Sequence, residues 1–259
     1  MPRVPRQFSR TGFYHIMMRG LNRERIFQKD QDKKKMLDTL IDKISDVDMG
    51  IYAYCIMDNH IHLLLKSEPE HLATFMKKVN VSFAMYYNRI QNRVGPVFQG
   101  RYKSECVENE GYFWGVLRYI HLNPVKAHIV KSIEKYEWSS INDYLLGKSE
   151  LLDDEAIVLK QENFKDNNSF LKMHEIEDFR IYLDVKEDLD DMKMTAGNRL
   201  IDEFLAKYKV NNVLELRHKE EAFQSLLEQL TEKAKLTYQE IAELTDLSYS
   251  MVQRLGSKT

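Results

Sequence analysis

Apolar residues recur along this chain with two periods, and the switches between them outline its elements. From Phe13 to Arg19 they alternate, with Tyr14, Ile16 and Met18 on one side and Phe13, His15 and Met17 on the other, which predicts a first strand. Gly20-Leu21-Asn22-Arg23 turns the chain and exposes Arg19, Arg23 and Arg25. A helix follows from Asp30 to about Val47, with Met36, Leu37, Leu40, Ile41 and Ile44 as its apolar stripe. Ile51 to Met57 is rich in aromatic and β-branched residues, Asp58-Asn59 is a turn signal, and a second apolar run opens at His60. These are two neighbouring strands. A long helix is expected from about Leu72 to Ile90, burying Phe75, Met76, Val79, Phe83 and Tyr86. Val97 to Val107 reads as a strand or irregular hairpin. The next helix starts at Asn109 or Glu110 and is expected to end at Asn123, because Pro124 disfavours helical backbone in the residue before it. A short helix from Tyr136 to about Leu146 completes this part.

The order β-α-β-β-α-β-α predicts an α+β fold over residues 1–148, a ferredoxin-like sandwich with an antiparallel sheet and helices on one face. Residues 149–194 lose periodicity and gain acid, including Asp153-Asp154-Glu155 and Glu187-Asp188-Leu189-Asp190-Asp191, and are expected to form an acidic linker. From 195 to 259 the pattern is helical, which predicts an all-α C-terminal domain. Thr237-x-x-Glu240 is a capping box, Thr245-Asp246-Leu247 a turn, and Ser248 a second cap, after which Met251, Val252 and Leu255 pack inward. This is a helix-turn-helix layout that turns Ser248, Tyr249, Ser250, Gln253 and Arg254 toward a DNA groove. An ordinary helical hairpin is the plain alternative.

Charge sharpens the division. The formal net charge of −2 conceals 23 Lys+Arg against 17 Asp+Glu in residues 1–150, and 15 against 23 thereafter. A basic front suits a polyanion such as nucleic acid. Residues 1–11 are expected to be a basic arm that orders on a partner. Arg101 and Lys103 beside Phe98 and Tyr102 suit single-stranded nucleic acid, and equally an edge strand charged against aggregation. Cys55 and Cys106 imply free core thiols rather than a disulfide framework. No apolar run approaches the roughly 20 residues that span a bilayer, the opening stretch lacks a secretory pattern, and a cytoplasmic location is expected.

The candidate chemistry starts at His60-Ile61-His62. In a strand both imidazoles project to one face while Ile61, Leu63 and Leu65 face the core. Paired imidazoles suit a divalent metal if a third ligand comes from elsewhere, and otherwise form ordinary hydrogen bonds. Tyr119 and Asn123, four apart, share a helix face. Asn123 offers an amide oxygen to a hard cation such as Mg²⁺ or Mn²⁺, and Tyr119 a phenol that becomes a nucleophile once deprotonated. Arg118 contacts phosphate or is merely solvated.

His60-Ile61-His62 with Arg118-Tyr119-Ile120-x-x-Asn123-Pro124-Val125 resembles the single-tyrosine HUH transposases, and within them the REP-associated tyrosine transposases, over roughly residues 8–146. The resemblance implies an endonuclease and strand transferase acting on hairpin-bearing single-stranded DNA through a phosphotyrosine link. By it His60, His62 and Asn123 map onto the metal ligands and Tyr119 onto the nucleophile. Asn123 points to the REP-associated branch, since insertion-sequence members often use glutamine there. Arg19, Arg23, Arg101, Lys103 and Arg118 are candidate single-strand contacts, and Tyr249, Gln253 and Arg254 candidate duplex contacts. Monomer and homodimer both remain open. The rival reading is a regulator that binds DNA through its C-terminal domain without cutting it.

Overall fold

The computed structural model describes residues 7–178, 180 and 182–256. The chain divides into two compact units, 1–183 and 184–259.

In the first unit, β1 (Phe13–Arg19) leads through a short turn to α1 (Asp30–Ile44), the hairpin β2 (Met49–Ile56) and β3 (His60–Ser67), α2 (Pro69–Ile90), β4 (Lys103–Cys106) and α3 (Glu110–Lys126). The sheet order is β2-β3-β1-β4 with every neighbour antiparallel, the connectivity expected for a ferredoxin-like sandwich. Ile16, Met18, Ile61, Leu63 and Leu65 share one face by alternation. They join Met36, Leu40, Phe75, Met76, Val79 and Phe83 of α1 and α2 in a single core. Helices were expected on that side alone, but α3 covers the other: Phe113 meets Phe13 edge-on with ring centres 5.0 Å apart, and Tyr119 reaches His15 and His62. The reason lies in β3 itself, whose second face carries Leu64 as well as the histidines and is too apolar to leave open.

Helix α3 also passes through Pro124 instead of stopping before it. Only the bond that Pro124's own N–H would make is lost, and helical bonding resumes with Ala127 N–H to Asn123 O at 2.9 Å. Beyond α3, α4 (Ile141–Leu146) follows a segment that pairs with the outer edge of β2 through Ser139 and Cys55.

The stretch expected to be a linker is folded up to Tyr182. It forms α5 (Asp154–Asn163) and α6 (Asn167–His174), which bury Leu151, Leu152, Ala156, Ile157, Phe170, Met173 and Tyr182 in the first core. Its acids cap these helices: Asp153 accepts from Glu155 N–H, and Asp166 from Ser169 N–H in a capping box. Residues 1–6 of the expected basic arm lie outside the described residues. Beyond them, Thr11 Oγ1 donates to Val107 O, so this end of the arm is docked.

The second unit comprises α7 (Leu183–Tyr208), α8 (Val213–Leu216), α9 (Glu220–Glu232), α10 (Tyr238–Thr245) and α11 (Tyr249–Gly256). Ile201, Phe204, Leu216, Phe223, Leu226, Leu227, Leu230, Ile241, Leu247 and Val252 form its own core. The Thr237–Glu240 capping box opens α10, and Asp246 closes it in the left-handed region at φ 56°. The side chain of Leu255, expected to pack inward, lies outside the described residues. Among the described residues no helix is long and apolar enough to cross a membrane.

Candidate active site

Strand pairing assembles one face of the sheet from residues far apart in sequence. Arg19 stands opposite His60, Met17 opposite His62, and His15 opposite Leu64. On the other flank of β1, Lys103 lies opposite Met17 and Glu105 opposite His15. Opposite residues of an antiparallel pair share a face. His60, His62, His15, Arg19, Lys103 and Glu105 therefore lie on the side that α3 covers.

The turn before His60 is pinned from three directions. Gly20 N–H donates to Asn59 O at 2.8 Å, Phe27 N–H to Asp58 O at 2.8 Å, and Met57 N–H to His60 O at 2.8 Å. Gly20 is required here, since a methyl group would lie 2.3 Å from Glu24 O. Lys33 Nζ donates to Asp58 Oδ1 at 2.9 Å, and Arg25 donates to Oδ2. Burial alone would raise the Asp58 carboxyl, but these two cations hold it below the usual carboxylate range. Asp58 is thus committed to the turn and ill suited to be a general base.

The His60 and His62 rings are 4.8 Å apart and perpendicular. His62 is fully buried, and its Nδ1 lies 3.0 Å from His15 Nε2. If His62 presents the Nε2 lone pair to a cation, its Nδ1–H donates to His15, whose own proton then sits on Nδ1, 4.0 Å from Glu105 Oε2. Tyr112 Oη–H donates to that carboxylate at 2.6 Å. His15 thus orients His62, with the Glu105 carboxylate, held by Tyr112, as the acid behind it. His15 was legible in sequence only as one position of an alternating strand, because its importance comes from a partner 47 residues away.

Helix α3 delivers Tyr119 to this face. Its ring lies 5.7 Å from the His62 ring and 6.0 Å from His15, and the residue is 5% exposed. One turn on, Asn123 Nδ2 donates to Tyr119 O at 2.9 Å, which leaves Oδ1 as the amide atom suited to a cation. Among the described residues no group of three His, Cys, Asp or Glu side chains is placed to hold a metal ion. The rival phenol Tyr112 is raised in pKa by burial and by its bond to Glu105, and so stays protonated.

Of the expected DNA contacts in the first unit, Arg23, Arg101 and Lys103 are exposed. Arg19 is 7% exposed and belongs to the histidine face rather than to an open turn. Arg118 is 8% exposed and donates from Nη2 to Asp178 Oδ2 at 2.5 Å, so it is neither solvated nor open to phosphate here. Nothing in the sequence near Arg118 announces a partner sixty residues on. In the second unit, Tyr249, Gln253 and Arg254 are exposed on α11.

Beside this site, His121 is a contrasting histidine of α3. It is fully buried, with Nδ1 2.9 Å from His174 Nε2 and Nε2 2.8 Å from Ser140 Oγ. His174 Nδ1 donates to Phe170 O at 3.0 Å. That bond fixes every tautomer: His174 accepts from His121, which accepts from Ser140, and both rings are neutral. Burial, reinforced by His174, lowers His121 well below the ordinary imidazole value, and burial takes His174 to about 4.

A comparison with curated proteins gave no match. Among solved structures, the chain is similar to that of a REP-associated tyrosine transposase bound to a REP hairpin, at 16% identity and a TM-score of 0.48, covering 56% of this chain and 86% of that one. It is also similar to a candidate transposase from Deinococcus radiodurans R1, at 20% identity and a TM-score of 0.34, covering 46% and 95%. With both scores below 0.5, neither overlay is close enough to transfer residue roles. The family model described as "Transposase IS200 like" matches residues 10–123, the stretch that runs from β1 to the asparagine of α3. Over this front stretch the chain is similar to the IS200-like transposase family.

Proposed function

We propose that the protein is a metal-dependent transposase of the REP-associated, single-tyrosine kind, which cleaves and rejoins hairpin-bearing single-stranded DNA. The observation that carries this reading is the meeting of Tyr119 with the histidine pair, with the two rings of Tyr119 and His62 5.7 Å apart across helix and sheet. Asn123, in place of glutamine, favours the REP-associated branch.

His60, His62 and the Asn123 amide oxygen would hold Mg²⁺ or Mn²⁺. Such a cation, when bound, polarises the scissile phosphate. The Tyr119 phenol gives up its proton and its oxygen attacks phosphorus in line. The bond to the 3′ oxygen breaks, that oxygen takes a proton, and the products are a 5′-phosphotyrosine and a free 3′-hydroxyl. Attack by that or another 3′-hydroxyl reverses the step and rejoins a strand. His15 and Glu105 orient His62, while exposed Arg23, Arg101 and Lys103 supply positive charge for the phosphate backbone.

Incubating the protein with labelled hairpin DNA and Mn²⁺ is expected to give a covalent adduct that Tyr119→Phe abolishes while binding survives. An adduct undiminished in that variant would falsify the assignment.

A second reading concerns the last two helices. A tight turn through Asp246 followed by exposed Tyr249, Gln253 and Arg254 supports a helix-turn-helix that reads duplex DNA. In the whole chain, Gln253→Ala with Arg254→Ala is expected to weaken duplex binding and spare the adduct. Duplex binding without any adduct from the unaltered chain would make the protein a regulator instead.

A further inference from the structure

Asp178, Arg180 and Tyr182 lie outside the stretch that matches the family, and they are fastened along α3. Asp178 accepts from Arg118 and from the Tyr182 hydroxyl, and Arg180 Nη1 donates to Gly111 O at 3.1 Å. Burial alone would raise the Asp178 carboxyl, but bonds from Tyr182, the Arg180 N–H and Arg118 hold it below its usual range. The Tyr182 ring is inserted between two rings of α3. It lies 4.1 Å from Tyr119 at an interplanar angle of 18°, and 6.2 Å from Tyr112 at 9°. Tyr112 and Tyr119 are seven residues apart, about two turns, and so share a face. Gly115 lies between them and makes the room: a methyl group there would stand 2.5 Å from Arg180 Nη1 and 3.0 Å from the Tyr182 hydroxyl oxygen.

The two helix tyrosines are thus the walls of a slot that holds one aromatic ring. A cation stands at each end, with the Arg180 guanidinium 5.6 Å from the Tyr112 ring and Lys126 Nζ 4.6 Å from Tyr119. Parallel π-faces with flanking cations are what an unstacked base of single-stranded nucleic acid binds. The protein's own Tyr182, 2% exposed, fills the slot and leaves Tyr119 nearly sealed.

We propose that the slot between Tyr112 and Tyr119 binds an unstacked nucleobase of single-stranded DNA, and that Tyr182 occupies it as an internal stand-in which the DNA displaces. A nucleotide brings the same two groups that the segment supplies, a flat ring for the slot and an anion for Arg118, so the exchange is like for like. Its placement beside the scissile phosphate rests on the reading of Tyr119 as nucleophile; the slot itself does not.

The test reads binding rather than cleavage. In a Tyr119→Phe background, which keeps that wall of the slot, a hairpin oligonucleotide carrying 2-aminopurine in its single-stranded flank reports stacking by fluorescence quenching. Tyr182→Ala is expected to tighten binding by about fivefold or more and to deepen the quench, because the slot no longer has to be emptied. Gly115→Ala is expected to act in the same direction by crowding Arg180 and the Tyr182 hydroxyl. Alanine is the better helix former, so α3 is retained and this variant decides the matter if Tyr182→Ala does not fold. Tyr112→Ala is expected to lose the quench. Unchanged or weaker binding in the folded variants overturns the proposal. An unaltered chain that forms an adduct while the variants bind as before sinks the slot alone. The predicted quenching pattern without any adduct from the unaltered chain sinks the nucleophile and leaves the slot standing.

Discussion

Helix α3 offers a histidine neighbourhood on each of two sides, and they differ in what surrounds them. On the Tyr119 side, His60 is half-buried, His62 is oriented by His15, and exposed Lys103 shares their sheet face. On the His121 side, two rings stack 5.2 Å apart between α3 and α6, every nitrogen is engaged, and both rings are held neutral by burial. Residue type does not separate the two groups. What separates them is a phenol packed against the rings in one case, and a closed set of donors and acceptors in the other. The first group should therefore govern chemistry and the second stability.

The largest expected effect is on His62. Under the proposed function, His62→Ala should cut adduct formation at least about a thousandfold per folded molecule, since it removes one of the two imidazoles that would hold the cation. Adduct yield normalised to folded protein checks this, and near-normal yield would merge the two groups. Next is the acid response of the sealed pair. His174 drops from an ordinary value of 6.5 to about 4 in the fold, so the unfolded chain binds the extra proton first. Its stabilisation is complete above about pH 6.5 and is lost as pH falls toward 4, on the order of 3 kcal/mol across that window. His174→Phe should reduce this slope in melts between pH 7 and 4.5; an unchanged slope would mean that His174 does not contribute to it. His15→Ala should slow adduct formation by about 10–100-fold per folded molecule, beyond any loss of stability from its buried position. A loss of stability without loss of rate would place His15 with the structural group. The smallest effect is Ser140→Ala, which strands His121 Nε2 and should cost about 2 kcal/mol of stability with no change in rate per folded molecule.

Much of this was legible in residue order. Alternation over 13–19 gave β1 to the residue, and the His60-Ile61-His62 spacing placed both imidazoles on one face. Helical spacing pairs Tyr119 with Asn123, although Pro124, a helix-stop signal in the sequence, lies inside a helix that runs on to Lys126. Legibility failed where the deciding partner is remote. Arg118 looks like a surface cation until Asp178 arrives, and His15 looks like any strand residue until β3 brings His62 beside it. It failed again over 149–182, where acids that cap α5 and α6 dilute the apolar spacing of Ala156, Ile157, Phe170 and Met173 and mimic a solvated spacer.

Gly20 carries one last consequence. The backbone at this position is welded to Asn59 on one side, while Arg19 O and Leu21 N–H bond Gln99 and Val97 on the other. The loop bearing Arg101 and the turn bearing Arg23 are therefore tethered to the imidazoles through main-chain atoms, independently of side chain. The exposed positions can therefore be changed without disturbing the geometry of His60, and under the proposed function this separates DNA contact from chemistry.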